Sequence, residues 1–176
     1  MVVNITKYPT HRWYHNFLYN VFGYKNEPTV YVQIDEWDTW SMDHTLAHIV
    51  APMLIQLRGS THSFNTVDIE DRPEHLIGTL PATNSHEPDE FAEQAWDWAL
   101  SEMIFAFESK HEDWEKQFYS GESDITWKPV ENSDCFELVN GPNHTFEIDM
   151  DGMKKYQERI TNGFRLFGKY YEGLWD

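Results

Sequence analysis

Apolar positions along this chain recur with two periods, and the changes between them mark out the elements. Residues 2–8, VVNITKY, alternate weakly and predict a strand. In HRWYHNFLYNVFG, Trp13, Phe17, Leu18, Val21 and Phe22 fall at helical spacing, with Gly23 as a natural stop. PTVYVQID then alternates cleanly, with Val30, Val32 and Ile34 on one face, as a half-buried strand does. A helix is predicted over about 40–58, where Met42, Leu46, Ile49, Val50, Met53, Leu54 and Leu57 form one stripe, and Pro52 inside it predicts a kink or an early break.

Residues 60–89 are polar and turn-rich, with a short helical turn expected near PEHLI, and a stretch of that length without structure is often functional or mobile. A second long helix is predicted over about 89–114, with Asp89 or Pro88 as the start signal. SGESDITWKPVENSD reads as a loop with a short strand. CFELVNGPNHTFEID reads as a hairpin turning at NGPN. A last helix covers about 151–175, its apolar stripe running from Met153 and Tyr156 to Tyr171 and Leu174. The expected fold class is α+β: a single globular domain over 1–176, with three main helices and a small antiparallel sheet.

Composition adds a folded core and a strong charge. The 176 residues include eight Trp, nine Tyr and eleven Phe, rings that each bury a large area and that disordered chains lack. Thirty acids against thirteen bases leave a formal net charge of −17. Such a surface repels phosphate backbones and anionic membranes, and suits solubility, a basic partner or mimicry of nucleic acid. The single cysteine, Cys135, excludes an intramolecular disulfide framework and zinc sites built on several thiolates. The N-terminal stretch has no basic segment followed by an apolar run, so no signal peptide is expected, and no apolar run approaches the ~20 residues of a membrane span.

The stretch DEWDTWSMDHTLAHIVAPML, residues 35–54, concentrates the candidate chemistry. Asp38, Thr39 and Ser41 are N-cap residue types and Asp43 falls in the first helical turn, where such groups contribute about 0.5–2 kcal/mol per good cap. Asp43 also projects to the edge of the apolar stripe, where a carboxylate must find partners. His44 and His48 stand one turn apart, a spacing at which two imidazoles converge on one ion, although HTLAH lacks the glutamate of HExxH. Glu102 falls in the middle of an apolar face of the second long helix; a buried carboxylate is either a functional group or the partner of Arg12, Arg159, a Tyr or a Trp. ESKH, residues 108–111, has the spacing of di-iron bundles but not their second copy. Nucleophile elbows and phosphate-binding glycine loops do not occur.

DTWSMDHTLA, EMIFAFE and NGFRLFGKYYEGLWD resemble stretches of small uncharacterised proteins of tailed bacteriophages. The resemblance covers most of the chain and implies a viral gene product made in a bacterial host cytoplasm, or incorporated in the virion. That family carries no known activity, so no catalytic residue transfers. Two function classes follow. One is a non-catalytic acidic protein that acts by protein–protein binding or self-association, as a virion or assembly component or an inhibitor of a host factor, without direct contact to nucleic acid or membrane. The other is a metal-dependent hydrolase with His44 and His48 as ligands of a divalent ion, and Glu102 or Asp43 as third ligand or general base. It requires the histidine face of the first long helix to meet Glu102.

Overall fold

Helix α3, Ala92–Glu108, buries more of its side chains than any other element described, and the rest of residues 47–176 is organised around it. The computed structural model describes residues 2–5, 13–23, 30–60, 63–78, 89–131 and 134–175. Among them are the strands β1 (Val2–Ile5), β2 (Val30–Gln33), β3 (Tyr119–Ser120), β4 (Ile125–Pro129), β5 (Phe136–Asn140) and β6 (Glu147–Ile148). The helices are α1 (Trp13–Phe22), α2 (Met42–Ser60), α3 and α4 (Met150–Lys169). The fold class is α+β, with four helices rather than three. The additional helix is the Trp13–Phe22 segment, which the spacing of its apolar residues had marked as helical. By its contacts the chain divides into residues 1–46 and 47–176, and each unit is described by itself.

In the first unit, β1 and β2 pair antiparallel with Val3 opposite Val32. α1 ends at Gly23, which takes a left-handed φ of 65° and donates its N–H to the Tyr19 carbonyl at 2.9 Å, the stop expected of glycine there. The strand expected over PTVYVQID is found as β2, but not as a half-buried one: Tyr31, Val32 and Ile34 are all exposed.

In the second unit the core joins Ala47, Ala51 and Leu54 of α2, Val67, one face of α3, and Ile160, Leu166 and Tyr170 of the last helical segment. α4 lies close against α3. A Cβ at Gly163 would run into the Glu102 carbonyl oxygen and lie 2.6 Å from Ala106 Cβ, so this crossing requires a glycine. Phe164 and Phe167 set their rings edge-on to Phe107 at 5.0 and 4.9 Å, and Trp114 stacks on Tyr156 at 4.9 Å. α3 ends at Glu108, earlier than the expected 114, where Ser109 Oγ donates to the Phe105 carbonyl. Residues 114–118 form a separate 3₁₀ turn that places Trp114 against Tyr156. α4 likewise stops at Lys169, and Tyr171–Gly173 form a 3₁₀ turn.

Two expectations are corrected. Residues 63–78 are not a loose loop: Val67 and Leu76 are buried, two 3₁₀ turns cover Ile69–Asp71 and Glu74–Leu76, and charged side chains fasten the segment. Buried Arg72 donates to the Val67 carbonyl (2.8 Å) and to Asp89 (2.7 Å), whose other oxygen accepts from Phe91 N–H at the start of α3. The remainder of the 60–89 stretch, residues 61–62 and 79–88, lies outside the described residues.

The hairpin is the second correction. β5 pairs with β4, not with β6, in the register Ile125–Asn140, Trp127–Leu138 and Pro129–Phe136. β3 pairs with β6 farther along the same antiparallel ribbon. The chain therefore turns at 130–135, where Val130 N–H donates to the Cys135 carbonyl. NGPN instead forms an outward bulge because Asp124 takes its amides: the Gly141 N–H donates to the Asp124 carbonyl (2.8 Å) and Asn143 N–H to its carboxylate (3.0 Å).

Asp71 ties this segment to α4. Its carboxylate accepts from Tyr170 O–H (2.6 Å), Lys169 (2.7 Å) and Arg165 (2.7 Å). Burial opposes ionisation of Asp71, but the hydrogen bonds from Lys169, Tyr170 and Arg165 outweigh it and hold the carboxyl down at about 2. Since this lies below the ordinary value of 3.8, the contribution is complete above about pH 4 and is lost as the pH falls toward 2, amounting to about 2 kcal/mol. Urea unfolding of the native chain and of Asp71→Asn checks this. The stability difference between them is expected to shrink by about 2 kcal/mol from pH 5 to pH 2, whereas a constant difference would mean that Asp71 gains nothing from its ionised form.

Candidate functional site

Each residue singled out from the sequence has a definite environment. Asp35 and Asp38 cap one another across the 3₁₀ turn Glu36–Thr39: Asp35 accepts from Trp37 N–H at 3.0 Å, and Asp38 accepts from Asp35 N–H at 2.9 Å. Thr39 donates to the Glu36 carbonyl (2.7 Å) and Thr45 to the Asp38 carbonyl (3.0 Å). Much of the acidity of residues 35–38 thus serves to close a turn, one turn earlier in the chain than the expected helix cap. That turn holds Trp37 and Trp40 with their rings 6.4 Å apart and mostly exposed, 72% and 83%.

Asp43 does not lean into a core: its side chain is as exposed as that of His44, from which it is 3.9 Å distant. It stands one and two turns before Ala47 and Ala51, and those alanines with Leu54, rather than Met42, Leu46 and Met53, form the buried line of α2. The expected stripe is borne out in part: Leu54 is buried and Ile49, Val50 and Leu57 are half-buried, whereas Met42, Leu46 and Met53 are exposed. His48 is exposed and stacks on His111, with ring centroids 4.1 Å apart and 21° between planes. What meets His48 is therefore another imidazole, not Glu102.

Glu102 is buried, as its position between apolar residues required, and Arg159 of α4 takes both its oxygens. Nη2 donates to Oε1 at 2.7 Å and Nε to Oε2 at 2.9 Å. The guanidinium also lies 3.8 Å from the centre of the Phe105 ring. Arg159 was among the partners expected for this acid; Arg12, another, lies outside the described residues. Donating to the Glu102 carboxylate raises the Arg159 pKa further above its usual value. A fork-on-fork carboxylate has its lone pairs committed, which suits a cross-link between helices better than a base that must accept a substrate proton. Among the described residues, no three His, Cys, Asp or Glu side chains gather around a point that could hold a metal ion.

Three surfaces were not read from the sequence. A cleft of about 530 Å³ is lined by Arg58, Phe64, Trp96 and Leu100, but Arg58 is itself held by Asp97 at 2.6 and 2.9 Å. In the first unit Trp13, Phe17, Phe22, Trp37 and Trp40 are exposed, and neither α1 nor the Glu36–Thr39 turn has a buried residue. In the second unit, alternation on the β4–β5 ribbon puts Ile125, Trp127, Pro129, Phe136 and Leu138 on one face, with Asn140 at its end opposite Ile125, and Thr126, Lys128, Glu137 and Val139 on the other. The sequence signal for that face was the alternation in ITWKP and FELVN. It was obscured because the turn was placed at NGPN.

No described helix is long and apolar enough to cross a membrane. Compared with protein-family models, curated proteins and solved structures, the chain has no match.

The role assigned to Glu102 is tested by a double-mutant cycle of Glu102→Gln and Arg159→Gln, read by urea unfolding. A coupling of about 1–3 kcal/mol is expected for a charge-assisted pair of this burial. Additive losses would detach the carboxylate from the fold and leave it available for chemistry.

Proposed function

We propose that this chain acts by binding another protein and is not a catalyst. The observation that carries the reading is the first unit's surface: α1 and the Glu36–Thr39 turn bury none of their residues, and five large aromatic rings on and beside them face solvent. The exposure of these rings in the first unit taken alone is at least as great, since the whole chain can only add cover. Trp37 and Trp40 lie side by side with their rings 6.4 Å apart, and exposed apolar area that clusters in this way marks a contact surface. The reciprocal Asp35–Asp38 caps supply the second requirement of an interface, rings held in place before the partner arrives.

A net charge of −17 disfavours nucleic acid and anionic membranes as the partner and favours a protein surface of opposite sign. With the resemblance to tailed-phage proteins, this supports a virion or assembly component, or an inhibitor of a host factor, working in the bacterial cytoplasm. The hydrolase reading lacks comparable support. Its histidines meet another histidine or a nearby exposed aspartate, and its buried glutamate is bound to arginine.

The test places a photoreactive residue at position 37 of the full chain expressed in bacteria, followed by identification of the adduct and titration of the purified partner. Trp37→Ser and Trp40→Ser are each expected to weaken that complex at least tenfold, as central aromatic anchors do. A chain that is monomeric by light scattering, forms no adduct and is indifferent to both substitutions would contradict the proposal.

A further inference from the structure

We infer that the β4–β5 ribbon is a docking face for a basic, amphipathic segment of a partner protein. This rests on the binding reading above but on a different surface, and it names the chemistry of the occupant. The ribbon's apolar face is formed by cross-strand pairs, with Trp127 opposite Leu138 and Pro129 opposite Phe136. Trp127 is 67% exposed, Phe136 61% and Leu138 59%, with Ile125 beside them at 48%. Together they expose several hundred Å², about the size of the largest apolar patch on a typical monomer, which is often functional.

The surroundings of that face select the occupant by charge. Residues 119–149, the whole ribbon with its turn, contain seven acids (Glu122, Asp124, Glu131, Asp134, Glu137, Glu147 and Asp149) against one base, Lys128. Lys128 lies on the opposite face, paired across the strands with Glu137. Glu131 and Asp134 stand exposed at the turn, next to Pro129 and Phe136 in the chain, and Glu122 is exposed at the other end. An apolar stripe flanked at both ends by carboxylates suits a segment that alternates apolar residues with lysine or arginine.

Two considerations set a second copy of this chain aside. Two such ribbons would bring like charges together, which costs rather than gains. The patch also falls short of the ~800 Å² per partner of a stable interface, whereas a single segment needs no more than the patch provides. Nucleic acid is disfavoured by the same carboxylates.

The probe is a fluorescent nine-residue peptide of alternating leucine and lysine, titrated with the full chain by anisotropy at low and moderate salt. Binding is expected to weaken several-fold as salt rises, and at least tenfold in Trp127→Ala and in Leu138→Ala. Thr126→Ala, on the other face, should match the native chain. Glu131→Gln combined with Asp134→Asn, at exposed turn positions, should weaken binding and flatten its salt dependence even if the apolar variants misfold. Equal affinity for native chain and Trp127→Ala would overturn the inference, since charge alone would then hold the peptide. So would equal affinity for a leucine–glutamate peptide, or a dimer in sedimentation that Trp127→Ala dissolves. Any of these results with the Trp37-dependent complex intact removes the ribbon's role and leaves the broader binding reading standing; loss of that complex is the separate failure described above.

Discussion

The crossing of α4 over α3 at Gly163 is the contact on which the second unit depends. Only with a glycine there can the α4 backbone come against the Glu102 carbonyl and Ala106. That approach brings Arg159 to Glu102, Phe164 and Phe167 to Phe107, and Tyr156 to Phe105. The buried carboxylate, unfavourable alone, becomes half of a bidentate pair, and losing one partner would strand the other. At its far end α4 extends the same logic, as Arg165, Lys169 and Tyr170 converge on Asp71 and pin residues 63–78 to the core.

The charged groups with the most buried side chains are thereby engaged in holding helices and turns together. Arg72 joins Val67 to Asp89, Glu102 joins α3 to the exposed Arg159 of α4, and Asp71 gathers two cations and a hydroxyl. A hydrolytic centre would need at least one such group aimed at open space, together with a water-activating ion or nucleophile. Among the exposed groups, beside the many charged ones, are the tryptophans of the first unit and the apolar residues of the β4–β5 ribbon.

The sequence made α1, α2, α3 and α4 legible because each carries apolar residues at helical spacing over at least two turns, and Gly23 marked a true stop. Glu102 was legible as a buried acid from helical projection, and Arg159 was one of several partners named for it. The buried face of α2 was legible only in part: Leu54, Val50 and Leu57 meet the core as their stripe required, but Met42, Leu46 and Met53 are exposed and the smaller Ala47 and Ala51 are covered instead. The hairpin failed for a related reason. NGPN is a strong local turn signal, but Asp124, sixteen or more residues earlier in the chain, captures its amides and moves the turn to 130–135. Local propensity yielded in both places to a partner distant in sequence. The same holds for residues 63–78, whose order comes from Arg72 and Asp71 rather than from any period in the stretch itself.

The central claim is that residues 92–108 and 150–169 form a closed core while α1 and residues 31–40 present the surface that we propose a partner covers. Native-state hydrogen exchange on the isolated full chain tests it most directly. Amides of α3 and α4 should exchange only through global unfolding, and those of α1, β2 and the Glu36–Thr39 turn should exchange orders of magnitude faster, slowing when a partner binds. Protection of residues 13–46 equal to that of α3 in the isolated monomer would contradict it, because the first unit would then already be complete.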